Sequence, residues 1–333
     1  MRRRAAIGLL AGTVLAASVA GCIPRPPGSA AGPGNQMPIG NAQAGQPTLP
    51  PYDVAKLVNP ASGKYLGVEG SGAPGSLAPV RTFAASVGKK PNIVGQYLAW
   101  TSPFPAGTVV HDWSYGALSY LAWEPYGTTS RAIAEGRSDA YISQFAHAVR
   151  GLNLPVAISF GHEMNGFWYP WGTGHTTAAD FVAAWRHIHT LFTRAGASNV
   201  IWVWNPNVIF PVPQVQLKPY YPGDAYVDWV GVTGYFATTG PQTYATLYKS
   251  TVTEVQAFTH KPFLIAETSV ESGPAEVTCA SHLVSVVTRH PGILGFIWFD
   301  YNKGGVDWRV ESRPILRAAL AKDVAGIQLV PVN

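Results

Sequence analysis

A short β-branched or aromatic run, a loop of Gly, Pro and polar residues, then a stretch of helical spacing: this unit recurs along most of the chain and leaves few ways to fold it. The runs are Tyr65–Glu69, Ile93–Trp100, Leu118–Trp123, Pro155–Phe160, Val200–Trp204, Trp229–Val232, Phe263–Ala266 and Ile293–Phe299. Ala178–Arg194 is the clearest helix, with Phe181, Trp185, Ile188 and Phe192 at helical spacing. Asp139–Gly151, Tyr244–Phe258 and Ala275–Arg289 also read as helices. Eight strands alternating with helices over about 280 residues predict an α/β fold, a single (β/α)8 TIM barrel. An open doubly wound sheet is the alternative. It wants a Gly-rich phosphate loop after its first strand, and Gly67-Val68-Glu69-Gly70 is not one.

Ahead of the barrel stands an address. Arg2-Arg3-Arg4 is followed by an uncharged run from Ala5 to Ala20, ending in Val19-Ala20-Gly21-Cys22. The run suits a signal-peptide core and is shorter than the about 20 residues that span a bilayer. Small residues before a Cys resemble a bacterial lipoprotein box, which implies a signal peptide over residues 1–21 and lipidation of Cys22. An ordinary secretory signal or a membrane anchor is the alternative. Residues 22–51 are rich in Pro and Gly with one charge, Arg25. Such a segment cannot bury enough surface to fold and reads as a disordered tether. The catalytic-size domain is then residues 52–333, exported and held on the outer face of a cell membrane.

Charge supports this partition. The net +5 owes most of its excess to the three leading arginines, so it is no evidence for an acidic partner. No Lys/Arg run follows Arg4, which argues against nucleic acid. Charged residues are 12% of the chain, about half the usual 25%, yet there are 11 Trp and 15 Tyr. That composition excludes a disordered chain, a coiled coil and a disulfide-rich miniprotein. With Cys22 lipidated, Cys279 has no partner and reads as a buried thiol.

In a barrel of this kind, function sits at the C-terminal ends of the strands. Polar and aromatic residues gather there: Glu69, Trp123-Glu124, His162-Glu163, Asn205-Pro206-Asn207, Tyr235, Glu267 and Trp298 to Asn302. Alternation puts Ser159, Gly161 and Glu163 on one side of the fourth strand, and Phe263, Ile265 and Glu267 on one side of the seventh. A rim acid on an apolar strand is costly unless it is used or paired. Two of them facing each other form the pair that glycoside hydrolysis needs, one to protonate the leaving oxygen and one to attack or activate water. The aromatic residues supply flat faces for sugar rings. Metal chemistry has little to stand on: His162-Glu163 lacks the second His of a zinc helix, and His187 and His189 point in different directions. No Gly-x-Ser-x-Gly elbow is present. No metal or cofactor is expected.

The run His162-Glu163-Met164-Asn165-Gly166-Phe167-Trp168-Tyr169-Pro170-Trp171 resembles the acid/base motif of glycoside hydrolase family 26, a β-mannanase family of retaining barrels. Trp123-Glu124-Pro125, Gly234-Tyr235, Ala266-Glu267-Thr268 and Trp298-Phe299-Asp300 extend the resemblance over about residues 60–320. It implies Glu163 as acid/base and Glu267 as nucleophile of a double displacement. It implies His162 at the sugar, Tyr235 as hydrogen-bond partner of the nucleophile, and Trp168 and Trp298 as walls of the cleft. Trp123 and Glu124 are carried over as substrate contacts. The implied substrate is a β-linked polysaccharide or oligosaccharide, foremost β-1,4-mannan, with β-1,3/1,4-glucan and β-1,3-xylan as alternatives on the same site. The chain is expected to act as a monomer. A non-catalytic surface carbohydrate-binding lipoprotein is the alternative of another class; the presence of both glutamates favours the enzyme.

Overall fold

Each of the eight expected runs pairs with the next, and the last pairs with the first, closing a parallel barrel. The structure is a computed structural model and describes residues 49–209, 215–240 and 242–333. The expected signal segment, Cys22 and almost all of the tether therefore lie outside the described residues. The strands are β1 (Tyr65–Pro74), β2 (Ile93–Ala99), β3 (Leu118–Glu124), β4 (Val156–Phe160), β5 (Val200–Trp204), β6 (Trp229–Thr233), β7 (Phe263–Thr268) and β8 (Ile293–Asp300). A small hairpin, β9 (Asn302–Lys303) and β10 (Val306–Asp307), follows β8 and turns through Gly304 and Gly305, both at positive φ.

The helices are α1 (Ala55–Val58), α2 (Ala78–Val87), α3 (Ala106–Tyr115), α4 (Ser130–Ala134), α5 (Asp139–Leu152), α6 (Ala178–Arg194), α7 (Tyr244–Leu247), α8 (Lys249–Gln256), α9 (Glu276–Arg289) and α10 (Pro314–Ala325). The bounds of α6 agree with its sequence pattern. Thr177 caps it, its side chain accepting from the Asp180 N–H at 3.0 Å, a contact that typically contributes about 1 kcal/mol. The expected helix Tyr244–Phe258 is instead two, broken at Tyr248. Helices α2 and α10 begin with Pro in their first turn, where its fixed φ and missing N–H cost nothing.

Two apolar cores result. Leu118, Tyr120, Ala122, Ala157, Ile201, Val203, Leu264, Ala266 and Ile297 belong to the one inside the barrel. Their neighbours along the strands, such as Leu121, Trp123, Ile158, Phe160, Ile265 and Trp298, pack with α5, α6 and α9 in the layer outside. Leu57, Val330 and Val332 join the inner core, and the Trp229 indole donates to the Val58 carbonyl at 2.9 Å. Helix α1 and the segment with Val330 and Val332 thus plug the floor, and the opposite mouth is free to carry a site. Cys279 is a buried thiol in α9, donating to the Gln242 carbonyl at 3.3 Å. Among the described residues no helix is long and apolar enough to cross a membrane.

Candidate active site

The two glutamates reach the mouth by leaving regular strand geometry. β4 ends at Phe160. Gly161 and Glu163 then both take positive φ, near +56°. For Glu163 this left-handed conformation costs energy that its surroundings must supply. Its N–H donates to the Asn205 carbonyl at 2.7 Å, which fixes the turn to the end of β5. A Cβ on Gly161 would fall 3.0 Å from the Phe181 ring of α6. Gly161 is therefore not stacked beneath Glu163 on a lumenal face, as alternation alone predicts.

Alternation fails in β7 as well. Phe263 and Ile265 lie in the outer layer, and Leu264 and Ala266 lie inside. Strict pleating would send Glu267 outward with Ile265. The register shifts instead, with Ile265 opposite Phe296 but Thr268 opposite Trp298. One extra residue in β7 flips the parity, and Glu267 turns into the mouth. Tyr248, at the break between α7 and α8, ties the neighbouring ends. Its hydroxyl donates to the Gly234 carbonyl at 2.7 Å and lies 2.8 Å from Thr268 Oγ1. A Cβ on Gly234 would fall 2.9 Å from its ring, so the glycine makes that approach possible.

Glu163 is held from both sides. Asn207 Nδ2 donates to its Oε1 at 2.5 Å and Trp168 Nε1 to its Oε2 at 2.7 Å. Asn207 is itself aimed by Asn165: the Asn165 amide donates to the Asn207 carbonyl at 2.9 Å, and the Asn207 N–H donates to Asn165 Oδ1 at 2.9 Å. Gly166 lets the indole of Trp168 fold back, since a Cβ there would fall 2.3 Å from the ring. Glu267 accepts from Tyr235 Oη in a short hydrogen bond and from Tyr97 Oη at 2.6 Å.

Burial lifts both carboxyls, and their hydrogen-bond partners differ. Burial, then the charge of Glu267, lifts Glu163 to about 8, against the pull of its two donors. It keeps its proton at neutral pH. Burial also lifts Glu267, but the hydroxyls of Tyr235 and Tyr97 and the Lys303 ammonium all favour its ionised form. Two buried carboxyls in one cleft, one holding its proton at neutral pH and the other facing donors that favour its ionised form, suit acid/base chemistry at an acetal centre.

His162 is 1% exposed, and neither ring nitrogen has a partner. Its ring packs against Tyr97, Tyr169 and Trp171, and burial drives it down to about 3. It is a neutral imidazole with hydrogen-bonding capacity to spare. Glu124 stands half-buried at the end of β3 and is lifted to about 7 by burial, with Lys303 acting against the shift.

The structure thus brings Glu163, Glu267, His162, Trp168, Tyr235 and Glu124 to one mouth. It does not bring Trp123 or Trp298. Trp123 has no exposure, stacks on Phe145 at 4.5 Å and donates to Tyr141 Oη at 3.0 Å, all in the outer layer. Trp298 is also fully buried there and donates to the Trp308 carbonyl at 3.2 Å. Two aromatic rings stand beside Tyr235: Phe299, buried, at 5.6 Å between centroids, and Trp308, half-buried, at 5.2 Å. Strand parity explains both placements: each indole belongs to the outward-facing set. Sequence reasoning did not single out Trp308, Tyr97, Asn207 or Tyr169 as site residues. Asn207 was visible as a polar strand end, but Trp308 follows a hairpin that no pattern announces.

Residues 129–273 match the model of glycosyl hydrolase family 26. The chain is 31% identical over 266 residues to Endoglucanase H of Acetivibrio thermocellus, covering 75% of this chain and 29% of that protein. It is 28% identical over 157 residues to Mannan endo-1,4-beta-mannosidase A and B of Caldalkalibacillus mannanilyticus, covering 43% of this chain and 28% of that protein. It spans less than a third of the length of either relative. Among solved structures it is similar to the Bacillus subtilis mannanase man26, with a TM-score of 0.61 and 20% identity over 84% of this chain and 90% of that one, a likeness of fold. The family match over residues 129–273 and the similarity to Endoglucanase H identify the chain as a member of glycoside hydrolase family 26.

Proposed function

We propose that the chain is a retaining endo-β-glycosidase and that its substrate is β-1,4-linked mannan. The observation that carries the chemistry is a pair of buried carboxyls in one cleft, Glu163 lifted to about 8 and Glu267 accepting from two tyrosine hydroxyls that favour its ionised form. In this reading a sugar enters over His162. Glu267 attacks the anomeric carbon, the glycosidic C–O bond breaks, and its electron pair leaves on the oxygen that takes the Glu163 proton. Water then gives a proton to Glu163 and attacks the same carbon, releasing Glu267 and restoring the first configuration. Trp168 holds Glu163 while offering an aromatic face to the leaving sugar.

The mannanase name of one relative supports mannan, and the endoglucanase name of the other supports a glucan, β-1,3/1,4-linked, as the second reading. Incubating the purified chain with mannan, β-glucans and β-1,3-xylan, and sizing the products, decides between them. Proton NMR of the first product gives its anomeric configuration; inversion refutes the mechanism. Glu267→Ala should abolish turnover of the best substrate, and full activity in that variant refutes the assignment.

Export belongs to the same proposal: Cys22 carries lipid, residues 22–51 tether the enzyme to the outer face of a membrane, and it works as a monomer. The support is the sequence Val19-Ala20-Gly21-Cys22 after an uncharged run. Mass spectrometry of a membrane fraction tests it, and an unmodified Cys22 peptide ends it.

A further inference from the structure

Glu69, at the mouth end of β1, is a third buried acid in the cleft. It is 1% exposed. Its place is made for it: on β2, a Cβ at Gly95 would fall 2.9 Å from Glu69 Oε2 and 3.0 Å from Glu69 Cβ. A buried carboxyl with an apolar floor beneath it is costly unless each oxygen finds a partner. The partners are Tyr97, whose Oη lies 3.2 Å from Glu69 Oε1, and the carboxyl of Glu267, in side-chain hydrogen-bond contact.

A count of protons fixes the arrangement. The Tyr97 hydroxyl has one proton, and its 2.6 Å contact with Glu267 Oε2 takes it. The Glu267 carboxylate has none to give. The proton between Glu69 and Glu267 must therefore be Glu69's own, and the 3.2 Å contact of Glu69 Oε1 with Tyr97 is the weaker share of the tyrosine's proton. Two ionised carboxylates in contact would repel strongly. The pair holds one proton, and the tyrosine hydroxyls on Glu267 decide that it sits on Glu69. Burial and the Glu267 charge act the same way, holding Glu69 well above the usual carboxylate range.

We propose that Glu69 is a positioning residue for the reaction: a neutral carboxylic acid that donates to Glu267, keeps that carboxylate ionised and fixes its aim. The proposal rests on the reading of Glu267 as nucleophile. The Glu69 proton stays on Glu69 throughout. Its bond to Glu267 is strong while Glu267 is a carboxylate and weak while Glu267 is esterified to sugar, so it favours release of the sugar in the second step. The groups that face Glu69 are Glu267 of β7, Tyr97 of β2, Tyr120 of β3, Tyr235 after β6, Tyr301 after β8 and Lys303 of β9. The four tyrosines are all held above their ordinary value, which leaves the two glutamates as the acids that titrate in this group.

Glu69→Gln keeps a neutral donor that cannot titrate, and Glu69→Ala removes it. The acidic limb of kcat/KM reports ionisation of Glu267 in the free enzyme. In Glu69→Ala it should move up by about one to two pH units, with kcat down about ten- to a hundredfold. In Glu69→Gln both should stay near wild type. An unmoved limb in Glu69→Ala, or a Gln variant as impaired as the Ala variant, overturns the proposal. Infrared spectroscopy of the full chain at pH 7 gives a readout that needs no substrate. The carboxylic-acid carbonyl band should lose intensity in Glu69→Gln beyond what Glu163→Gln removes. An unchanged band overturns the proposal, whereas a wild-type enzyme that cleaves no glycan but shows the band overturns only the glycosidase reading.

Discussion

Removing the Asn207 side chain should make Glu163 hold its proton to a higher pH. Burial and the Glu267 charge push Glu163 up to about 8, while Asn207 and Trp168 pull it down by bonding to the charged form. The Asn207 bond is 2.5 Å long and buried. A hydrogen bond to a charged group contributes about 1.5–3 kcal/mol. At about 1.4 kcal/mol per pH unit, its loss corresponds to a rise of about one to two units. Glu163 is the acid in the proposed first step, so activity falls as pH rises through its pKa. The alkaline limb of kcat/KM should therefore shift from about 8 toward 9 or 10 in Asn207→Ala. Activity at pH 7 should drop modestly, because a weaker acid donates less readily in the transition state. Trp168→Phe removes the other donor at 2.7 Å and should move the limb the same way. Asn165→Ala, which loosens the Asn207 backbone and leaves its side-chain donor in place, should give a smaller shift. The assay is a set of pH–rate profiles on one chromogenic oligosaccharide. A limb that stays at the wild-type position, or moves to lower pH, refutes the account of how Glu163 is tuned.

Glu163→Ala should lose least on substrates with good leaving groups, and azide should restore its second step as a glycosyl azide product; equal losses on good and poor leaving groups would remove Glu163 as acid/base. Trp308→Ala should raise KM with little loss of stability, whereas Trp123→Ala should cost about 3–5 kcal/mol in denaturant titrations and leave KM nearly unchanged; the reverse pattern would put Trp123 in the cleft. Asp112, buried and accepting from Ser119 Oγ at 2.6 Å, is lifted by burial to about 7 from its ordinary 3.8. Its folded value exceeds its unfolded one, so its contribution to stability is full below about pH 4 and is lost as pH rises through about 7. Relative to Asp112→Asn, the wild type should lose a few kcal/mol between those limits; a constant difference across the range would refute the assignment.

The strand rhythm was legible because each run is short, apolar and β-rich, and the eight runs fall within a residue or two of the observed strands except at the end of β1. The helix Ala178–Arg194 was legible because its apolar stripe and Thr177 cap agree. What the rhythm could not show is which face a rim residue takes. Trp123 and Trp298 look like cleft residues in sequence because they stand next to polar strand ends, yet pleating turns both into the outer layer. Asn207 and Tyr97 escaped notice as site residues because their role depends on carboxyls contributed by strands far away in the chain.

The same argument explains why Glu163 and Glu267 are placed as they are. Regular pleating would send Glu267 outward beside Ile265, and a strand continued through Gly161 would aim Glu163 by parity alone. A left-handed turn after β4 and an extra residue in β7 undo the parity at two ends on opposite sides of the mouth. Both departures are held by bonds from the next element, the Glu163 N–H to Asn205 and the Tyr248 hydroxyl at Gly234 and Thr268. Local strain is thus stored at Glu163, and the end of β5 keeps it there. A barrel can be read from periodicity, but its acids are positioned by the two places where periodicity stops.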